Sequence, residues 1–187
     1  MRIISGEARG RKLFAPAGDE TRPTSDKIRG SVFNIIGARI YDARVLDLFG
    51  GTGALALEAI SRGAESAVIV DTARAAIQAI ERNAQNVAKE DYQNRIRILK
   101  SDYRSAIGLL EGRAFDLVFL DPPYRMVEAY ADALLRLKSA GKLADDCLIV
   151  LERLKATEVP IPDEFISVDT RFYGETAVEF LKMRENA

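Results

Sequence analysis

Short, nearly continuous apolar runs alternate along this chain with longer stretches in which apolar residues recur every three or four positions. The runs cover residues 45–49, 67–71, 96–99, 115–120 and 147–151. Strands this uniformly apolar are buried on both faces, which implies a parallel sheet covered by helices on each side. The intervening stretches at 54–62, 73–89, 103–110 and 127–139 predict those helices. In the second of them, Ala76, Ile77, Ala79, Ile80, Ala84 and Val87 keep helical spacing with charges between them. This β-α-β-α repeat predicts a doubly wound, Rossmann-like α/β fold.

Both ends depart from the repeat. Residues 166–172 and 177–183 read as strands joined by Tyr173-Gly174-Glu175-Thr176, too short for a crossover helix, so an antiparallel hairpin is expected. At the start, residues 3–5 and 12–14 flank a basic, glycine-bounded turn and predict a β-hairpin. A helix follows, capped by Thr24 or Ser25 and running to about Ile36, with Ile28, Val32, Ile35 and Ile36 on one face. The expected organisation is an N-terminal extension over 1–40 and an α/β body over 41–187.

Composition removes several kinds of chemistry. The 187 residues contain no histidine, which excludes Ser-His-Asp and Cys-His catalysis and histidine-built zinc sites. The single cysteine, Cys147, lies inside an apolar run and is expected to be a buried thiol. No metal site is expected. No run reaches the roughly 18 apolar residues of a membrane helix, and the start does not read as a signal peptide. A cytoplasmic monomer with no membrane partner is the expectation. The net charge is −1, but residues 1–30 hold seven basic groups against four acidic ones, giving +3 there and −4 elsewhere. Such a basic end suits either phosphate guidance or an ordinary solvated surface.

Two motifs sit at predicted strand ends. Asp47-Leu48-Phe49-Gly50-Gly51-Thr52-Gly53 closes the first strand and opens a helix, so its backbone can approach a ligand closely. Asp71 ends the second strand, where a carboxylate can accept from ribose hydroxyls. This pattern also satisfies a dinucleotide fingerprint, and a tight turn without any ligand is a third account. Asp47 favours a cationic ligand such as S-adenosylmethionine, because it would repel a pyrophosphate. Asp102, with Tyr103 beside it, either receives an adenine amino group or simply caps a helix. The second motif, Asp121-Pro122-Pro123-Tyr124, ends the fourth strand. A carboxylate and a stiff proline carbonyl form an acceptor pair for a planar amino group, and Tyr124 offers a stacking face.

Asp-Pro-Pro-Tyr together with Asp-x-Phe-x-Gly-Thr-Gly resembles the amino-methyltransferases of adenine N6, guanine N2 and cytosine N4. The parallel sheet closed by a hairpin is likewise the plan of class I methyltransferases. Arg2-Ile3-Ile4-Ser5-Gly6, Arg9-Gly10-Arg11, Thr21-Arg22-Pro23-Thr24-Ser25-Asp26 and Tyr173-Gly174-Glu175-Thr176 narrow the resemblance. Together they are similar to the bacterial small-subunit (16S) ribosomal RNA guanine-N2 methyltransferases, from Met1 to about Met183. The resemblance implies S-adenosylmethionine held by Asp47, Phe49, Gly50, Gly51, Thr52, Gly53, Asp71, Asp102 and Tyr103. It implies catalysis by Asp121, Pro122, Pro123 and Tyr124. It also implies contacts of Arg9, Arg11, Arg22 and Thr24 with ribosomal RNA, free or in a small-subunit assembly particle. Gly50 stands where the family commonly has alanine, which should only loosen the loop, and Asp71 where glutamate is usual. Two further readings stand beside this one: the same chemistry on DNA adenine or another RNA, and a noncatalytic RNA-binding protein on the same scaffold.

Overall fold

The computed structural model describes residues 1–15 and 25–184. Its strands are β1 (Arg44–Asp47), β2 (Ser66–Asp71), β3 (Ile96–Lys100), β4 (Phe115–Leu120), β5 (Leu143–Leu154), β6 (Phe165–Tyr173) and β7 (Thr176–Met183). They form one sheet in the order β3-β2-β1-β4-β5-β7-β6. The first five run parallel, and β7 pairs antiparallel with both β5 and β6. This is the doubly wound class I methyltransferase sheet with its C-terminal hairpin. The hairpin turns through Gly174 at φ +61°, a conformation that disfavours any side chain.

The helices are α1 (Asp26–Ile36), α2 (Ala54–Ser61), α3 (Arg74–Ala88), the short α4 (Tyr92–Arg95), α5 (Tyr103–Gly108) and α6 (Glu128–Ser139). Alternation along the strands divides the core in two. Val45, Leu117 and Phe119 join the buried residues of α1, α2 and α3, such as Phe33, Leu57 and Ile80. Leu46, Val118 and Leu120 face the other way, onto Ile107 of α5 and Leu134 of α6. The continuous apolar runs thus have their two-sided burial. Cys147 is buried on the second side, where burial raises its thiol pKa well above the ordinary range. Among the described residues, no helix is long and apolar enough to cross a membrane.

β5 is longer than the expected 147–151, and α1 is capped by Ser25, whose side chain accepts from the Ile28 N–H at 3.2 Å. The N-terminal hairpin is narrower than expected. Only Arg2 and Lys12 form a β-bridge, supported by Ile3 N–H to Arg11 O and Gly10 N–H to Ile3 O, both at 2.9 Å. The reason lies in α2. Buried Glu58 accepts the N–H groups of Ile4 and Ser5 at 2.8 and 3.0 Å, which takes them out of a ladder. Ser61 adds to the same anchor, accepting from Ala8 N–H at 2.9 Å and donating to Ser5 O at 2.7 Å. Ile3, Ala8 and Leu13 complete the apolar side of that contact.

Candidate active site

The sheet reverses its direction of growth between β1 and β4, so the loops leaving their carboxyl ends diverge and open a crevice. The glycine loop flanks it on one side. Gly50 N–H donates to Val70 O at 2.8 Å, and Gly53 N–H donates to Gly50 O at 2.6 Å. Gly51 and Gly53 hold φ values of +56° and +75°, which explains two of the three glycines. Gly50 has a different reason. A Cβ there would stand 2.4 Å from Ile69 Cγ2 and 3.1 Å from Ile80 Cδ1. Glycine at this position is therefore matched to two bulky neighbours, and looseness of the loop is not its main consequence.

Asp47 lies at the base of the loop, only 2% exposed, and accepts from Phe49 N–H at 3.3 Å. Burial, with a smaller contribution from the charge of Asp71, raises its pKa to about 7 against the opposing bonds from Phe49 and Ala56. Such a carboxyl ionises readily when a cation docks beside it. Asp71 uses both oxygens locally: Oδ2 accepts from Gly51 N–H and Oδ1 from Ala73 N–H, each at 2.9 Å. It braces the glycine loop and the start of α3, and any contact with a ribose adds to those bonds. Thr52 is buried, and its carbonyl accepts from Asn83 Nδ2 at 2.9 Å.

Asp102 is the N-cap of α5, its Oδ1 accepting from Arg104 and Ser105 N–H at 3.0 Å each. Hydrogen bonds from Ser105 lead the causes that lower its pKa. The capping account of Asp102 is thus realised in the fold. Tyr103 is buried, with its ring 5.5 Å from that of Phe49 and its hydroxyl donating to Asp132 at 2.7 Å. Burial and that bond raise the phenol pKa to about 12, so the hydroxyl keeps its proton.

On the far side of the crevice, Asp121 leaves β4 half-buried, Pro122 is buried and Tyr124 stands 44% exposed. The Pro123 carbonyl accepts from Met126 N–H at 2.8 Å and so closes the turn, leaving the acceptor role to Pro122. The pKa of Asp121 is raised well above the usual carboxyl range, by burial first and then by the charges of Glu152 and Asp47. Glu152, 8% exposed, follows the aligned pair Leu120 and Leu151 in β4 and β5. Asp47 and Asp121, where β1 and β4 end, are therefore gathered with Glu152 of β5. Such a cluster suits a cationic ligand and disfavours a pyrophosphate.

The predicted RNA-binding residues are spread differently. Arg9 is exposed at the turn of the N-terminal segment. Arg11 donates to the carbonyls of Asn86 and Val87 at the end of α3, the latter at 3.1 Å. It caps that helix, a role that competes with phosphate contact. Arg29, counted in the basic N-terminal balance, is fully buried and paired with Asp26 at 3.0 Å and Glu58 at 3.7 Å. It adds nothing to a surface field. Arg22 and Thr24 lie outside the described residues.

A family model described as "Conserved hypothetical protein 95" matches residues 1–182. The Escherichia coli (strain K12) protein named "Ribosomal RNA small subunit methyltransferase D" is 37% identical over 152 residues, covering 81% of this chain and 74% of that protein. YlbH of Bacillus subtilis is 37% identical over 188 residues, covering 98% of this chain and all of its own. The chain belongs to the Conserved hypothetical protein 95 family. The solved structure of yhhF from Escherichia coli superposes with a TM-score of 0.84 at 32% identity, over 100% of this chain and 99% of that one. The family match thus takes in the N-terminal segment, the glycine loop, Asp121–Tyr124 and the C-terminal hairpin together.

Two residues of this family member escaped sequence reasoning although each left a signal. Glu152 ends an apolar run as Asp71 and Asp121 do. Asn83 lies three positions after Ile80 on the apolar face of α3, a polar residue at a core position. Fully buried, it donates to the carbonyls of Thr52 and Phe14, both at 2.9 Å, and accepts from Phe14 N–H at 2.8 Å. It joins the glycine loop to the N-terminal segment.

Proposed function

We propose that this chain transfers the methyl group of S-adenosylmethionine to the N2 amino group of a guanine in small-subunit ribosomal RNA. The observation that carries the reading is Asp121-Pro122-Pro123-Tyr124 at the open end of β4, facing the glycine loop across the crevice. The name of the Escherichia coli relative supports the substrate class. The carboxylate cluster supports the cofactor, since its ammonium and sulfonium charges suit Asp47 and its neighbours better than a dinucleotide phosphate would.

When bound, S-adenosylmethionine supplies a methyl group activated on a sulfonium sulfur. Asp47 and the glycine loop would hold its amino-acid end, and Phe49 with Tyr103 would offer ring faces to its adenine. Asp121 and the Pro122 carbonyl accept the two N–H bonds of the base. This draws the nitrogen lone pair out of the ring and toward the methyl carbon. Tyr124 stacks the base, an interaction of about 1–3 kcal/mol in single-strand binders. Holding both partners in line supplies a further several kcal/mol.

Transfer from methyl-labelled cofactor to small-subunit RNA, followed by nucleoside separation, tests the assignment. Label is expected in N2-methylguanine. Asp121→Ala should reduce turnover by about a hundredfold or more, with cofactor affinity changed by about threefold at most, since affinity rests chiefly on the opposite wall. Near wild-type turnover in that variant would remove Asp121 from the mechanism.

A further inference from the structure

Asp121 and Glu152 are carboxylates on adjacent parallel strands, each just beyond the last of four consecutive register pairs, Leu117–Leu148 to Leu120–Leu151. Glu152 is buried, and its backbone is fixed from outside the sheet. The Tyr130 hydroxyl, from α6, donates to Glu152 O at 2.6 Å. Asp47 of β1 acts on Asp121, and Tyr130 of α6 feels the charges of both Asp121 and Glu152, with Tyr124 of the catalytic loop and Arg153 of β5 also near its hydroxyl. Arg153 is engaged by Glu179 of β7 at 3.3 Å. The charges acting on Asp121 are thus negative, and two neighbouring carboxylates do not ionise independently.

We propose that Glu152 is a positioning residue for methyl transfer, sharing a proton with Asp121 and so making Asp121 the base that deprotonates the methylated amino group. This rests on the methyltransferase reading above. As the nitrogen–carbon bond forms, the carbon–sulfur bond breaks with its electron pair left on sulfur. The nitrogen becomes cationic, and its surplus proton passes to Asp121. A lone carboxylate at the water edge would be a poor acceptor. Beside Glu152 the added proton lies between two carboxylates and relieves their repulsion. The strain of holding both charges is thereby used at the step where positive charge must be removed.

The test compares pH–rate profiles of the whole protein and its Glu152→Gln variant, with labelled cofactor and small-subunit RNA. Activity in the wild type should rise with pH as the pair loses its proton. In Glu152→Gln this acid limb should move down by about one pH unit, because one negative neighbour is gone. The pH-independent turnover should fall about tenfold, within the range of lost general-base assistance. Affinity for S-adenosylhomocysteine should fall much less than turnover does, as that ligand keeps its ammonium on the Asp47 side but carries no sulfonium charge. Glu152→Asp, which keeps the carboxylate, should return the limb toward its wild-type position. It also provides the comparison if the glutamine variant folds poorly. A wild-type limb in Glu152→Gln would overturn the inference while leaving the methyltransferase reading intact. An Asp variant whose limb matches a shifted Gln variant would likewise overturn it. Absence of methyl transfer by the wild type would instead overturn the reading beneath.

Discussion

Asp47 holds a proton near neutrality because burial disfavours its charge, and this gives the site a measurable pH signature. In the unfolded chain an aspartate ionises at about pH 4. Between about 4 and about 7 the folded protein keeps a proton that the unfolded chain has released. Stability without cofactor therefore falls as pH rises through that window and is level above it. Asp121, also shifted upward, acts in the same direction. Asp47→Asn should reduce the loss of thermal stability between pH 5 and pH 7.5. An equal loss in the variant would contradict the burial account. The same substitution should weaken S-adenosylmethionine binding at pH 8, where the ionised carboxylate attracts the ligand most. Asp47 was legible in the sequence because it opens the glycine motif, and Asp121 because it terminates an apolar run. Glu152 obeys the same rule, but its place beside Asp121 depends on strand order, and no local pattern states that β5 follows β4 in space.

Among the elements, the N-terminal segment is tied to α2 by a few buried polar groups. Glu58 binds two backbone N–H groups and pairs with Arg29 and with Arg62, the latter at 2.7 Å. Removing its charge would leave Arg29 buried with Asp26 as its one counter-ion among the described residues. Breaking buried pairs in this way costs about 3–5 kcal/mol. Glu58→Gln should lower the melting temperature by several degrees, about 2–4 °C per kcal/mol at this size. A melting temperature within about one degree of wild type would exclude the anchor. The two arginines of the turn should separate. Arg9→Ala is expected to reduce RNA methylation and lower the salt slope of RNA binding by about one. Arg11→Ala should instead cost about 1 kcal/mol of stability by uncapping α3, with the salt slope little changed. Equal salt slopes for both variants, measured by titration at several ionic strengths, would contradict this separation. The hairpin was only partly legible: its ends and glycines were visible, but Glu58 competes for the N–H groups of one strand from more than fifty residues away. The buried pairing of Arg29 was invisible for the same reason, and charge counting placed it on the surface.

On the scale of the whole molecule, the doubly wound layering was legible from the alternation of runs and helical stretches, because two-sided burial requires helices on both faces, whereas the order of the strands was not. That order puts the carboxyl ends of β1, β4 and β5 side by side and gathers Asp47, Asp121 and Glu152 around one crevice. Asn83 then links the glycine loop to Phe14, so that loop and the segment that bears Arg9 are one packed unit. The central claim, methylation of a guanine amino group in small-subunit RNA, is tested most directly in cells. Nucleosides from 16S ribosomal RNA would be quantified by mass spectrometry in a strain lacking the gene, and in the same strain carrying wild-type or Asp121→Ala protein. The account predicts that one N2-methylguanine is missing without the gene, returns with the wild type and stays missing with the variant. An unchanged N2-methylguanine content, with loss of a different methylated nucleoside or of none, would contradict it.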